Sequence, residues 1–246
     1  MNYIINTFLI GLFFGTFGTT VGGIIGVTIN KNSNKFLSTI LSFASGLMIS
    51  IVCFDLIPEA MKLANILNII IGILFGIVIM IICDIFVQKK INKRDSVSNN
   101  SLLKTGIIVS IGLAIHNFPE GLAIGSGFGA SIVLGYSLAV AICLHDIPEG
   151  ISMAIPLKSG GISKLKVIAY VILSGVTTGI GAFLGAIVGE ISQHTIALCL
   201  SFSAGAMLYI VSGELIPESN KLYSGKWSTV ANMLGIIIGL IVININ

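Results

Sequence analysis

The chain has 246 residues, of which 55% are hydrophobic and only 9% are charged, and its mean hydropathy is +1.04. About a quarter of the residues in an ordinary soluble domain are charged, so this composition excludes a soluble fold and indicates a protein built inside a lipid bilayer. The net charge of +3 gives no argument for a nucleic-acid partner. The 29 glycines suit membrane helices, which associate through small residues.

Apolar runs of about 20 residues, the length that crosses a bilayer as a helix, recur eight times along the chain. We therefore predict an all-α polytopic membrane protein, with residues 1–246 forming a single transmembrane domain. The eight predicted transmembrane helices cover roughly 4–28, 36–61, 66–88, 103–128, 131–157, 165–189, 194–219 and 228–245. The first run has no basic stretch before it, so we interpret it as part of the fold and not as a signal peptide.

The basic residues predict an orientation. Twelve of the 13 Lys and Arg residues fall in the loops after the odd-numbered spans, and only Lys62 falls on the other side. Loops rich in Lys and Arg stay in the cytoplasm. The sequence therefore predicts a multi-pass protein of the plasma (inner) membrane with both termini outside the cytoplasm.

The second and seventh spans contain a repeat. Residues 41–60 (LSFASGLMISIVCFDLIPEA) and 200–219 (LSFSAGAMLYIVSGELIPES) are identical at 11 of 20 positions, at an offset of 159. Spans five helices apart cross the membrane in opposite directions. We therefore predict inverted repeats at about 4–88 and 165–245 around central helices at about 103–157, the usual architecture of secondary transporters.

Two nearly identical stretches, HNFPEG at 116–121 and HDIPEG at 145–150, lie deep in spans 4 and 5. Ionisable groups at this depth are costly and are retained where they pair or coordinate a ligand. The His and Glu of each stretch are four residues apart and share a helix face. Two adjacent antiparallel helices would bring six candidate metal ligands together: His116, Asn117, Glu120, His145, Asp146 and Glu149.

This combination of imidazole and carboxylate without thiolate suits Zn²⁺, Fe²⁺ or Mn²⁺. Met48 is a further candidate ligand through its thioether. Pro119 and Pro148 each remove a helical hydrogen bond, so they are expected to kink the helices and free carbonyl oxygens beside the site. The alternative interpretation is a neutralised polar network that holds the two helices together.

Carboxylates at the ends of spans 2 and 7 extend the pattern into a predicted path for a cation. Asp55 and Glu59 lie toward the external end of span 2, and Glu214 and Glu218 lie toward the cytoplasmic end of span 7. The alternative is that they are solvated helix ends.

The twin motifs HNFPEGLAIG and HDIPEGISMA, eight spans and outward termini resemble the ZIP (Zrt-/Irt-like protein) family of divalent metal transporters, over nearly the whole chain. The resemblance implies uptake of Zn²⁺, and often of Fe²⁺, Mn²⁺ or Cd²⁺, toward the cytoplasm. It implies a first metal site on His116, Glu120 and Glu149 with His145 nearby. A second site would use Asn117 and Asp146 with the same two glutamates.

The chain departs from some relatives in span 6, where Thr177 and Thr178 stand in place of a glutamate that completes the second site. We include Thr178 among the residues expected to line the path.

The predicted partners are divalent metal ions and the lipid bilayer, not nucleic acid, and the sequence leaves a homodimer open. The metal would be cargo, and no prosthetic group is expected. Two other functions remain: an intramembrane metalloenzyme, whose usual motif H-E-x-x-H is absent, and a metal-gated channel. The sequence favours a transporter and not an enzyme.

Overall fold

The computed structural model describes residues 2–29, 34–92 and 101–244. Over these ranges the chain forms eight helices and no strand: α1 Asn2–Thr28, α2 Asn34–Leu63, α3 Ile66–Asn92, α4 Ser101–Ala130, α5 Ile132–Ser159, α6 Lys164–Gly189, α7 Gln193–Leu222 and α8 Lys226–Asn244. The ends of the predicted spans differ from these bounds by at most four residues, so the predicted fold class is confirmed.

In the part of the chain that the structure describes, seven helices are long and apolar enough to cross a bilayer. Of the basic residues behind the predicted orientation, Lys31, Lys93 and Arg94 lie outside the described residues.

Helices α2 and α7 share an interruption. Each contains a five-residue π-helical turn, Val52–Leu56 in α2 and Val211–Leu215 in α7. In α2 the N–H of Ile57 bonds to the carbonyl of Val52, five residues back, and the next residue is a proline with no N–H to donate. The start, the π turn and the end of α2 each lie 159 residues before their counterparts in α7, which is the offset of the sequence repeat.

Glycines allow the outer helices to pack closely on α4 and α5. Helix α1 packs on α5, and α6 packs on α4. A Cβ atom on Gly22 would overlap the carbonyl oxygen of Ile147, and one on Gly181 would overlap that of Phe118. Gly22 and Gly181 are again 159 residues apart, and Phe118 and Ile147 are 29 apart, as are the twin stretches. Equivalent contacts therefore surround the two central helices.

A buried hydroxyl network joins α2, α7 and α8. The Oγ of Ser38 lies 3.0 Å from the Oγ of Ser219 and 2.6 Å from the Oγ of Ser228. Ser42 approaches Ser219 to 2.6 Å through the same atoms. Hydroxyls buried away from water are stabilising only when they are paired in this way, so the network links the three helices at one end of the fold.

Replacing Ser38 by Ala is expected to lower the free energy of unfolding by about 1–3 kcal/mol, because the buried hydroxyls of Ser219 and Ser228 would each lose a partner. Thermal unfolding in detergent would measure the change. Thr39→Ala is the matched control, since the Thr39 hydroxyl bonds to the carbonyl of Lys35 in its own helix. Equal losses in the two variants would show that the network adds nothing.

Candidate metal centre

A short connection sets the two motif helices side by side. Ser131 alone separates α4 from α5, and its hydroxyl accepts a 3.0 Å hydrogen bond from the N–H of Leu134 at the start of α5. His116 lies 15 residues before Ser131 and His145 lies 14 residues after it. At about 1.5 Å rise per residue, the two imidazoles therefore come to almost equal depth on neighbouring antiparallel helices.

The histidines pair across the helix interface with the glutamates of the opposite stretch. The Nε2 of His145 lies 2.9 Å from the Oε1 of Glu120, and the Nε2 of His116 lies 3.4 Å from the Oε1 of Glu149. One possible ligand atom from each of four residues falls within 4.8 Å of the others: Glu120, His145, Asp146 and Glu149. The structure thus brings the two stretches into one cluster.

All six motif side chains are at most 1% exposed. Several of their polar atoms have neither a hydrogen bond nor an ion-pair contact among the described residues, including Oδ2 of Asp146, Oε2 of Glu149, Oε2 of Glu120 and Nδ1 of His145. Leaving such atoms unpaired costs about 1–3 kcal/mol each, and more for charged groups. A divalent cation would satisfy several of them at once and offset the buried negative charge.

Asn117 is oriented by α6. Its Nδ2 donates to the carbonyl of Ser174 at 3.2 Å and to the hydroxyl of the same residue at 3.3 Å. Its Oδ1 has no partner in the described structure and is left free to coordinate. Asp146, the equivalent residue in α5, carries a full carboxylate instead, so the two sides of the cluster differ by one charge.

Thr178 of α6 is fully buried, and its Oγ1 also has no recorded partner among the described residues. A Cβ on Gly121 of α4 would overlap the carbonyl oxygen of Thr178, so this threonine lies where α6 packs against the HNFPEG stretch. Thr177 bonds to the Ser174 carbonyl at 2.6 Å. Within the described residues, span 6 therefore brings hydroxyls, and no carboxylate, to the helix face packed against this stretch.

Both motif prolines lie inside uninterrupted helices. The helices continue past Pro119 and Pro148, so the four-residue spacing of His and Glu keeps each pair on one face. The expected use of freed carbonyl oxygens as ligands stays a prediction. Met48 is fully buried in the hydrophobic core cluster, and its role as a ligand also stays a prediction.

Asp55 and Glu214, the two carboxylates that the sequence placed deeper along the predicted cation path, have unequal surroundings. Asp55, in the π turn of α2, is 9% exposed, and its Oδ2 accepts a 3.3 Å hydrogen bond from Ser137 of α5. Glu214, in the π turn of α7, is exposed. Its Oε2 would lie 3.9 Å from a Cβ on Gly112 of α4, one helical turn before His116. The Glu214 end is thus the more open of the two.

Glu59 and Glu218, the carboxylates nearer the ends of the predicted path, each form an ion pair with a lysine of the same helix. Glu59 lies 2.7 Å from Lys62, and Glu218 lies 3.6 Å from Lys221, each three residues apart. Exposed pairs of this kind contribute little to stability. A role for Glu59 and Glu218 in a cation path stays a prediction.

Asp84 of α3 is a residue that the sequence pattern did not single out. The hydroxyl of Tyr209 donates to its Oδ2 at 3.2 Å, and Tyr209 lies in α7 five residues before Glu214. It therefore lies on the same side of the cluster as Glu214. An acidic residue within an apolar span is the sequence signal that could have found it.

The eight-helix fold defines a polytopic membrane protein, and the donor atoms of the cluster are those that bind divalent transition metals. The family model described as ZIP Zinc transporter matches residues 87–246. The chain belongs to this family of transporters, and it is not an enzyme.

Individual proteins similar to this chain are also named as zinc transporters. The zinc transporter ZupT of Clostridium perfringens is 30% identical over the whole of this chain and 96% of its own length. ZupT of Corynebacterium aurimucosum is 31% identical over 90% of this chain and 91% of its own length. The zinc transporter ZIP11 of Xenopus tropicalis is 40% identical over 54% of this chain, and the match spans only 41% of the frog protein.

Proposed function

We propose that the chain moves divalent transition-metal cations into the cytoplasm through the cluster between α4 and α5, with Zn²⁺ as the first candidate cargo. The convergence of six buried side chains with unpaired donor atoms carries this proposal. Imidazole and carboxylate ligands also suit Fe²⁺ and Mn²⁺, with Cd²⁺ as a further candidate. The names of the relatives favour zinc.

Glu120 and Glu149 are the proposed central ligands, because each approaches a histidine of the opposite helix. His116 and His145 supply nitrogen on one side, and Asn117 and Asp146 supply oxygen on the other. At the possible second metal site, Asn117 and Thr178 offer only neutral oxygen ligands, whereas a second divalent cation would need further negative charge. We therefore expect one strongly held ion.

The cation path we propose runs from Asp55 to the cluster and then to Glu214, with Glu59 and Glu218 at the two mouths. In this conformation Asp55 is buried against Ser137, whereas Glu214 is exposed beside Gly112 of α4. We interpret this as a state closed at the Asp55 end and open at the Glu214 end.

We place the Glu214 end in the cytoplasm, because the loops on that side carry nearly all of the Lys and Arg residues. With this orientation both termini lie outside the cytoplasm. The membrane we propose is the plasma membrane. The matched boundaries of α2 and α7 support an inverted repeat. Such a repeat gives two equivalent half-structures, and alternation between them could expose the same cluster to either side.

Zinc flux into proteoliposomes tests this proposal. We expect uptake that saturates with zinc concentration and is inhibited by Fe²⁺, Mn²⁺ or Cd²⁺ according to their fit to the cluster. Empty liposomes and protein carrying Glu120→Gln are the controls. Flux that rises linearly with concentration would favour the channel alternative, and the absence of flux with any of these metals would overturn the proposal.

Asp84→Asn is expected to slow zinc uptake several-fold while leaving zinc affinity at the cluster unchanged, because it removes a charge beside Glu214 without touching the motif residues. Initial uptake rates and equilibrium zinc binding would separate the two effects. Tyr209→Phe, which removes only the hydrogen bond to Asp84, should have a smaller effect. Equal loss of rate and affinity would place Asp84 in the binding site instead.

A further inference from the structure

An apolar groove lies between α5 and the pair formed by α2 and α8. Its volume is about 300 Å³, within the range of pockets that hold small molecules. Its lining is entirely hydrophobic and includes Ile40, Phe43, Leu144, Ile147, Pro148 and Ile238. Leu144 is 37% exposed and Ile238 is 38% exposed, so the groove is open to its surroundings. In a membrane-spanning protein those surroundings are lipid.

A cationic site lies at the Lys35 end of the same two helices. The Lys35 ammonium is 5.3 Å from the ring centre of Trp227 and 5.8 Å from that of Tyr223. Trp227 is 59% exposed. Trp227 and Ile238 are 11 residues apart in α8, about three helical turns, so they share the face that lines the groove.

This arrangement matches the two parts of a phospholipid. An exposed lysine held against aromatic rings suits an anionic headgroup at the membrane surface, where Trp and Tyr are commonly found. The apolar groove that begins one to two turns further along α2, at Ile40, suits an acyl chain. We propose that an anionic phospholipid binds here, with its headgroup at Lys35 and one acyl chain in the groove.

The groove also contacts the helix that carries half of the candidate metal ligands. Leu144, Ile147 and Pro148 line it from α5. At about 100° per residue, Ile147 lies about 160° around α5 from His145 and Glu149, and Leu144 lies about 100–140° from them. A lipid in the groove would therefore pack against the back of the metal-binding segment and restrict its movement relative to α2 and α8.

Quenching of Trp227 tests the proposal, since it is the only tryptophan in the chain. The protein would be reconstituted in phosphatidylcholine containing a fixed small fraction of brominated phosphatidylglycerol or brominated phosphatidylcholine. We expect about a fivefold preference for the anionic lipid, which corresponds to about 1 kcal/mol for one lysine near the surface. Fluorescence in unbrominated bilayers corrects for the intrinsic emission of each variant.

Two variants separate the headgroup from the acyl chain. Lys35→Gln should abolish the preference, whereas Lys166→Gln, at an exposed lysine of α6, should not. Ile238→Phe narrows the groove and should reduce quenching by the anionic lipid, whereas Ile237→Phe, at its lipid-exposed neighbour, should not. Equal quenching by the two lipids, or an unchanged preference in Lys35→Gln or Ile238→Phe, would overturn the proposal.

Discussion

Replacing Glu120 by Gln is expected to reduce zinc uptake by about 100-fold or more, with the fold intact. Glutamine keeps a carbonyl oxygen that can accept from His145, at the position where the glutamate now lies 2.9 Å from that ring. It loses the negative charge that a divalent cation requires in a buried site. Loss of outer-shell partners alone typically costs 10–100-fold in metal affinity, so loss of a charged ligand should cost at least as much.

Uptake by this variant would be measured in proteoliposomes containing equal amounts of reconstituted protein. His116→Ala should give a comparable loss, since it removes a nitrogen donor from the same cluster. Glu190→Gln provides the matched control, because Glu190 is an exposed carboxylate at the end of α6. Wild-type rates in both Glu120→Gln and His116→Ala would show that cations cross by another route.

The second large effect is expected at Gly121, immediately after Glu120. A Cβ at this position would overlap the carbonyl oxygen of Thr178 and lie 2.9 Å from the backbone nitrogen of Ala182. Backbone atoms of α6 cannot move aside as a flexible side chain could. Gly121→Val should therefore separate α4 from α6, lower the free energy of unfolding by about 3 kcal/mol, and abolish uptake.

Gly112 in the same helix provides the control. A Cβ there would have its nearest neighbour, an oxygen of Glu214, at 3.9 Å, which is an ordinary contact. Gly112→Ala should therefore unfold at nearly the wild-type temperature. Thermal unfolding in detergent would compare the two variants. A Gly121→Val protein as stable as Gly112→Ala would contradict the close packing of α4 on α6.

The helices and the convergence of the motif side chains could be predicted because their signals are local. Span positions follow from runs of apolar residues, and the four-residue spacing of His116 and Glu120 follows from the geometry of a helix. The antiparallel pairing of α4 and α5 follows from the single residue between them. The contact of His145 with Glu120 on the opposite helix could therefore be predicted from the sequence.

Other features depend on contacts distant in sequence. Asp84 gains its position beside Glu214 through Tyr209, which is 125 residues away. The bond between Ser38 and Ser219 links positions 181 residues apart. The π turns before the Ile-Pro pairs change the orientation of Asp55 and Glu214 by shifting a hydrogen-bond register, which hydrophobic periodicity does not report. The repeat predicted that the two helices would resemble each other, but not this shared interruption.

Anomalous diffraction at the zinc absorption edge, from crystals grown with Zn²⁺, tests most directly whether the twin stretches hold the transported cation. We predict a strong peak between Glu120 and Glu149, with nitrogen and oxygen ligands at about 2.0–2.2 Å. The peak should disappear when Glu120 is replaced by Gln. Zinc bound elsewhere, with no peak between α4 and α5, would contradict the assignment of these helices as the metal site.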